Sequence, residues 1–366
     1  MTPPAAPDTL PETPDQPTQG TMTTNATPRA FVPFPTLIAD IGGTNARFAL
    51  VPDEASPPLR FPTVLTADFA TIDDAIAAVL PPDIRPHSAV LALAGPIQGD
   101  QVPLTNCHWV VEPRRMIARF GLDEVILLND FEALSLSLPA LAGADLLPIG
   151  AGTTVANAPQ VVVGPGTGLG AAALIHANGA WIPVPGEGGH IDLAPVSRRD
   201  FEIWPHLERP HQQIDPFARI EGETLLSGSG LLRLYRAVAS ASGVAPRFDD
   251  PSGITAAAIE RSDAAAEEAL ELFCVHLGRL AGNLALTFMA CGGVFLAGGI
   301  AAKIAPFLQQ SGFRAAFIDK VPHQAMMDRM PTSVVVHPEP ALAGITAYAR
   351  HPELFGVVTD GRRWHK

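Results

Sequence analysis

From residue 35 onward, short runs of apolar residues alternate with glycine-rich turns and amphipathic stretches. Pro35–Asp40 and Arg47–Val51 flank the turn Ile41–Asn45, and this arrangement predicts a β-hairpin. Two further runs predict strands and two amphipathic stretches predict helices: strands at Ala89–Ala94 and Val125–Leu128, helices at Asp73–Leu80 and Pro113–Phe120. Strands that alternate with helices are typical of an α/β fold.

The second half of the chain opens with a pattern that resembles the first. Val161–Val163 leads into a turn from Gly164 to Gly168, and Leu169–Ile175 then forms a second apolar run that Asn178-Gly179 closes. The Gly-Thr pairs of the two turns, Gly43-Thr44 and Gly166-Thr167, lie 123 residues apart. This spacing is expected if two similar domains each present one loop to a shared cleft, although two unrelated glycine-rich hairpins would look the same.

A long amphipathic helix is predicted from Ala264, with apolar residues at three- and four-residue spacing up to Phe288. Cys274 lies on its apolar face, so we assign that residue to core packing. Gly292-Gly293 ends the helix, Val294–Ala297 reads as a buried strand, and Gly298-Gly299 opens the next helix. Glycines at such a junction let a ligand approach the backbone.

Composition narrows the functional classes. The chain has 366 residues, 47% of them apolar, which excludes overall disorder and suggests about two domains at roughly 150 residues each. The 37 acidic residues outnumber the 24 basic ones and give a formal charge of -13. Such a charge repels nucleic acid and anionic membrane surfaces, so we expect neither as a partner, and a phosphorylated ligand must be held by local groups.

The cysteines and the N-terminus indicate the compartment. Three cysteines without metal-ligand spacing argue against a disulfide framework or a zinc site and favour the cytoplasm. Residues 1–30 are rich in Pro and Thr and have no apolar core of a signal peptide, which predicts a disordered tail. Two uncharged stretches, 146–186 and 280–302, are interrupted by Pro, Gly or Asn, so we interpret them as buried core and not as membrane spans.

Glycine-rich loops suit phosphate because adjacent backbone N–H groups can converge on an anion. Residues 166–171 match the dinucleotide pattern G-x-G-x-x-G/A, but the turn at Asn178-Gly179 follows too soon for a Rossmann helix, and a hairpin fits better. The absence of a Gly-Lys pair excludes a Walker loop. Asp40 precedes Gly42, Gly43, Thr44 and Asn45, where it could orient hydrated Mg²⁺ or simply bond its own turn.

Two further segments carry groups suited to sugar chemistry. Asn129-Asp130 follows a strand, where the pair could cap the next helix or place a carboxylate that accepts a proton from a hydroxyl; from the pair alone, the cap is favoured. Glu187 and His190 lie three apart in a glycine frame and could grip a polyol or belong to a solvated loop. Glu221 or Glu223 could add another carboxylate.

In their order and spacing these segments resemble the bacterial ATP-dependent glucokinase family, the zinc-free group of the actin-like sugar kinases. The resemblance covers roughly residues 35–350. The matching segments are Ala39–Arg47, Leu128–Phe131, Gly164–Gly170, Pro185–His190, Leu226–Gly228 and Leu296–Ile300.

The resemblance implies an α/β protein with the two-domain actin-like ATPase (ribonuclease H-like) fold, whose mixed sheets are flanked by helices and whose active site lies between the domains. We expect a tail over residues 1–32, a small domain over 33–140 that residues 338–366 complete, and a large domain over 141–337. The implied reaction transfers the γ-phosphate of ATP to the 6-hydroxyl of glucose, and a homodimer is implied as well.

The resemblance also implies roles for individual residues. Asp130 would be the catalytic base, and the sugar would be bound by Asn129, Asp130, Glu187, His190 and Glu223; Glu223 is preferred to Glu221 because it keeps the family's distance to Ser227-Gly228. Asp40 would hold Mg²⁺ through water. The phosphates and the adenosine would lie against three loops, which contribute Asp40, Gly42, Gly43, Thr44 and Asn45, then Gly166, Thr167 and Gly168, then Gly298 and Gly299.

Two alternatives accompany this interpretation. The same carboxylates and histidine could serve a kinase of mannose, fructose or an N-acetylated amino sugar. A sugar sensor without activity is the alternative from another class, but binding alone does not require a base such as Asp130. Related kinases and repressors with a Cys-rich zinc motif are disfavoured because no cysteine lies between Cys107 and Cys274.

Overall fold

A computed structural model describes residues 31–210 and 219–366 of the chain. Most of the predicted tail, residues 1–30, lies outside the described residues. Val32, which the sequence analysis assigned to that tail, is buried at 1% exposure among the core residues.

The strands alternate with helices along the chain, as the sequence predicted. The strands are β1 (Thr36–Ile41), β2 (Asn45–Val51), β3 (Leu59–Arg60), β4 (Val64–Leu65), β5 (Ser88–Leu93), β6 (Val102–Pro103), β7 (Val110–Val111), β8 (Glu124–Asn129), β9 (Leu146–Gly150), β10 (Gln160–Pro165), β11 (Leu169–Ala177), β12 (Ala180–Gly186), β13 (Gly293–Leu296), β14 (Thr332–Val335) and β15 (Arg363–His365). Both predicted hairpins are confirmed, because β1 pairs with β2 and β10 pairs with β11 in antiparallel register.

Three helices begin where the sequence predicted, at Pro113, Ala264 and Gly298, and the helix predicted at Asp73–Leu80 is found one residue earlier. They are α1 (Ile72–Val79), α2 (Pro113–Phe120), α3 (Asp130–Ser135), α4 (Arg198–Ile203), α5 (Gly222–Leu225), α6 (Gly228–Ala241), α7 (Pro251–Ile259), α8 (Ala264–Phe288), α9 (Gly298–Lys303), α10 (Ala305–Leu308), α11 (Phe313–Ile318), α12 (Gln324–Arg329) and α13 (Pro340–Arg350).

Two large sheets repeat the same arrangement of strands. The first has the order β3-β2-β1-β5-β8-β15, with β4 also on β2, and the second has the order β12-β11-β10-β13-β14-β9. In each, three adjacent strands are parallel (β1, β5 and β8; β10, β13 and β14) and antiparallel strands lie on both sides of them. The similarity between the two halves therefore extends from the hairpins to whole sheets, while the domain boundaries themselves stay a prediction.

The C-terminal segment returns to the first sheet. Strand β15 pairs with β8, and α13 packs against β1, β5 and α3. One hydrophobic cluster contains residues of both sheets, such as Ile126 and Val162, together with residues of α3 and α13. Helices α3 and α13 therefore fill the space where the two sheets approach each other.

Helix α8 is the core of the other large cluster. Cys274 is fully buried in it, and burial raises the pKa of its thiol to about 12, so the assignment to packing is confirmed. Within the described residues α8 is the one helix whose length and hydropathy would allow a membrane span. Its most apolar stretch is 61% buried inside the protein, as expected of a core helix.

Candidate active site

Asp130 stands at the junction between β8 and α3. The strand is buried from Glu124 to Leu128, and α3 begins at Asp130 itself. Asn129 caps the helix: its Oδ1 accepts hydrogen bonds from the backbone N–H groups of Phe131 (3.0 Å) and Glu132 (3.2 Å). The cap that the sequence favoured is therefore present, and it leaves the Asn129 amide nitrogen as the group that can bind a ligand.

The surroundings of Asp130 make it a stronger base than an ordinary aspartate. Burial, with smaller contributions from the negative charges of Asp40 and Glu187, raises the pKa of its carboxyl to about 6. The backbone N–H of Phe131 donates to Oδ1 at 2.9 Å and acts in the opposite direction. At neutral pH such a group is ionised yet close to its pKa, which suits a general base.

Phe131 fixes α3 against the second glycine hairpin. Gly164 and Gly170 are opposite each other in the β10–β11 pairing, and a Cβ on Gly170 would lie 1.9 Å from a ring carbon of Phe131. On Gly164 a Cβ would lie 2.4 Å from the same ring. These two glycines, which flank the predicted phosphate loop at Gly166–Gly168, therefore have a packing function that the sequence analysis missed: they make room for the side chain that follows Asp130.

A cavity of about 380 Å³ lies beside Asp130. Its walls come from both sheets and from the C-terminal return, and they combine carboxylates with glycines that expose backbone. They include Asp40, Arg47, Asp130, Gly298, Gly299 and Glu339. The sequence thus assigned Asp40, Asp130 and the Gly298-Gly299 pair to one site, and the structure brings them together. The sequence analysis gave no role to Arg47 or Glu339. What could have indicated them is their position in the chain, Arg47 at the end of the segment that begins with Asp40 and Glu339 at the start of the predicted C-terminal return.

Asp40 has the environment of a cation ligand. Its Oδ2 lies 3.3 Å from Nη1 of Arg47, and burial together with the charge of Glu339 raises the pKa of its carboxyl. Asp40 and Asp130, both desolvated, thus share one cavity with the carboxyl group of Glu339, and among the described residues that line it Arg47 supplies the one guanidinium. A hard divalent cation that binds oxygen ligands would offset their charge, so the residues present fit Mg²⁺.

The first glycine loop is a tight turn whose outer residue is accessible. Gly42 N–H donates to the carbonyl of Asn45 at 3.0 Å, closing the turn between β1 and β2. Gly43 approaches Asn106 so closely that a Cβ there would lie 2.9 Å from the Asn106 carbonyl oxygen. Thr44 is exposed. The contacts with Asn45 and Asn106 therefore fix the loop, and Thr44 is left accessible to a ligand.

The second loop is held in the same way, by Glu223 and Gly228. Gly166 N–H donates to Gly168 at 2.8 Å, and Gly228 N–H donates to Gly166 at 2.9 Å. Glu223 Oε2 accepts from Leu169 N–H at 2.9 Å and would lie 2.5 Å from a Cβ on Gly168. Thr167 is exposed, like Thr44 in the first loop. The third glycine site is also constrained: Gly298 has φ +86° and lies against the Pro165 carbonyl, so a side chain there would be strained.

Glu187, His190 and Glu221 form a polar cluster at the end of β12. His190 Nδ1 lies 3.0 Å from Glu221 Oε1, and Nε2 lies 3.8 Å from Glu187 Oε2. The hydrogen bond that His190 donates to Glu221 raises the pKa of the imidazole, and the charges of Glu223 and Glu187 add to this. Glu221, which the sequence ranked behind Glu223, is thus the histidine's direct partner, whereas Glu223 supports the second loop. Which of the two contacts a sugar stays a prediction.

Comparisons with known proteins agree with this geometry. The glucokinase family model matches residues 37–352. A glucokinase from Mesorhizobium japonicum is 56% identical over 333 residues, which cover 90% of this chain and 96% of that protein. The crystal structure of a glucokinase from an Antarctic psychrotroph superposes with a TM-score of 0.75 at 33% identity, covering 86% of this chain and 98% of the other.

A glucokinase from Balamuthia mandrillaris, crystallised in complex with glucose, superposes with a TM-score of 0.73 at 26% identity. That match covers 86% of this chain and 93% of the other. The expected fold of the actin-like sugar kinases is therefore confirmed. Because the family model and relatives at this identity span nearly the whole described chain, the protein belongs to the glucokinase family.

Proposed function

We propose that this protein is a glucokinase that converts glucose and ATP into glucose 6-phosphate and ADP, the first reaction of glycolysis. The observation that carries the proposal is the placement of Asp130. Its carboxyl, with a pKa of about 6, lies at the wall of a cavity whose other groups suit phosphate and a divalent cation. Family membership adds independent support.

In the proposed mechanism Asp130 accepts the proton of the glucose 6-hydroxyl as that oxygen attacks the γ-phosphorus of ATP. A bond forms between the 6-oxygen and phosphorus, the bond to the bridging oxygen of ADP breaks, and its electrons leave with ADP. Asp130 is suited to this step because the N-cap at Asn129 and the Phe131 contact hold it at a fixed helix start. Positioning of this kind contributes much of the rate in phosphoryl transfer.

The sugar would be held by Asn129, Glu187, His190 and Glu223. Carboxylates accept hydrogen bonds from neighbouring hydroxyls, whereas the Asn129 amide and the His190 imidazole donate. Glu187 is suited to this role because it is exposed at the end of β12 yet close enough to Asp130 to raise its pKa. The charges of the sugar-binding groups and the base are therefore coupled.

The nucleotide phosphates would lie against the loops at Gly42–Asn45 and Gly166–Gly168, with the Gly298-Gly299 pair beside the adenosine. Asp40 would hold Mg²⁺ through water, and the ion when bound would neutralise phosphate charge. We further propose a cytoplasmic homodimer that binds neither nucleic acid nor membranes. Three free cysteines and the excess of acidic residues support the compartment and the expected partners.

The proposal is tested by measuring ADP formation from ATP over a panel of glucose, mannose, fructose and N-acetylated amino sugars. Glucose is expected to have the highest kcat/KM, and Asp130→Asn is expected to lower kcat at least ~100-fold, the scale of general-base effects. Asp249→Asn makes the same chemical change at an exposed site and serves as the control. Activity that is highest on another hexose would reassign the substrate. Activity on none of them would favour the sugar sensor.

A further inference from the structure

The C-terminal strand reaches the helix that carries Asp130. Arg362, which directly precedes β15, forms a two-point ion pair with Glu132 of α3: Nη1 lies 2.5 Å from Oε2, and Nη2 lies 3.1 Å from Oε1. Glu132 is 1% exposed, and the Arg362 side chain is 17% exposed. Such a planar, largely buried pairing of guanidinium and carboxylate fixes orientation as well as charge.

Arg362 is itself held in place from several sides. Its carbonyl accepts from Leu127 N–H at 2.9 Å, and its own N–H donates to Thr359 at 2.9 Å. Its side chain also donates to the carbonyl of Val358. The backbone of Arg362 is therefore bonded to β8 just before that strand ends, and the guanidinium extends from this fixed point to Glu132.

Glu132 connects this anchor to the backbone before Asp130. Its Oε2 accepts from Asn129 N–H at 3.2 Å, while Asn129 Oδ1 accepts from Glu132 N–H at 3.2 Å. This reciprocal pair is a capping box, which fixes the first turn of a helix. Asp130 lies between the two residues of the box, so the direction of its carboxylate depends on the geometry of that turn.

We propose that Arg362 is a positioning residue for catalysis, which acts through Glu132 and the capping box to hold Asp130 toward the cavity. The inference rests on the proposed role of Asp130 as the base. Neither Arg362 nor Glu132 is among the described residues that line the cavity, so both act without touching the substrate.

The same strand supplies a matched control. Arg363 forms a comparable ion pair with Glu124, with Nε at 2.7 Å from Oε2, and Glu124 is 2% exposed. Glu124 is the first residue of β8, at the end of the strand away from Asp130. Removing either arginine takes the guanidinium away from a buried glutamate, so both substitutions destabilise the fold, although His365 Nδ1 remains 3.4 Å from Glu124 Oε2. Only the Arg362 substitution should also change the chemistry.

The test compares Arg362→Gln with Arg363→Gln at a temperature where both are folded. The double variants Glu132→Gln/Arg362→Gln and Glu124→Gln/Arg363→Gln are measured as well, because they leave no unpaired buried charge. We expect the two Arg362 variants to lose ~10-fold or more in kcat, as small misplacements of reacting groups do, with the KM for ATP unchanged. The Arg363 variants should stay within about twofold of the wild type in kcat.

If the single and double Arg362 variants have the same kcat as the corresponding Arg363 variants, the inference is overturned and Arg362 is a purely structural residue. If Arg362→Gln does not fold, the two double variants decide the question by the same criterion. Asp130→Asn is measured beside them. If it retains kcat, the proposed base is wrong; if it loses kcat while the Arg362 variants match their controls, only the positioning role fails.

Discussion

The pKa of Asp130 predicts how the activity depends on pH. A carboxyl with a pKa of about 6 is half ionised near pH 6 and about one-tenth ionised near pH 5. An ordinary aspartate would still be more than about nine-tenths ionised at pH 5. If Asp130 must be ionised to accept the proton, kcat/KM for glucose should be near its plateau at about pH 7.5 and fall roughly tenfold by pH 5.

The assay measures ADP formation directly at each pH, with ATP and Mg²⁺ saturating, and circular dichroism establishes that the protein stays folded. Glu187→Gln removes one of the negative charges that raise this pKa, so its acid limb should move to lower pH. The residual activity of Asp130→Asn should not fall in this way between about pH 7.5 and pH 5. A fall that persists in this variant would come from titration of the substrates and not of Asp130. A wild-type midpoint near pH 4 would refute the argument that burial tunes the base.

Three further outcomes follow from the same geometry. The folded pKa of Asp130 lies above the unfolded value of 3.8, so ionisation of this group lowers the free energy of unfolding. This loss is absent below about pH 4 and complete above about pH 6. Asp130→Asn should therefore raise the free energy of unfolding at pH 7.5 by on the order of 1–3 kcal/mol and leave it unchanged near pH 4, as measured by denaturant titration. Gly170→Ala should force the Phe131 ring aside, costing about 1–3 kcal/mol and lowering kcat, whereas Gly186→Ala adds its methyl to open space and should cost little in a thermal melt. Glu187→Gln should mainly raise the KM for glucose in steady-state kinetics, and an unchanged KM would place Glu187 outside the sugar site.

The elements of this fold were predictable because their signals are local. The β1–β2 and β10–β11 hairpins follow from apolar runs on either side of glycine turns, and α8 follows from its apolar face. The contacts that organise the site are not local. Arg362 and Glu132 are 230 residues apart, and nothing in either segment indicates the other. Glu221 likewise approaches His190 only when the chain folds back.

The raised pKa of Asp130 could not be read from the sequence for the same reason. Its main cause is burial where the two sheets approach, and its neighbours Asp40 and Glu187 come from different sheets. The motifs predict which residues carry the chemistry, but the pKa of the proposed base depends on its burial and on how closely the tertiary fold brings the charges together.

At Asn129 and Asp130 the sequence offered a helix cap and a catalytic pair as competing interpretations, and in the structure they depend on each other. Asn129 caps α3, and the cap fixes the turn on which Asp130 lies. The next two residues secure that turn on opposite sides, Phe131 against the glycine hairpin and Glu132 against Arg362. A buried carboxylate of raised pKa is costly to hold in place. The capping box, together with the outside contacts of Phe131 and Glu132, supplies the rigidity that a proton acceptor at a strand end requires.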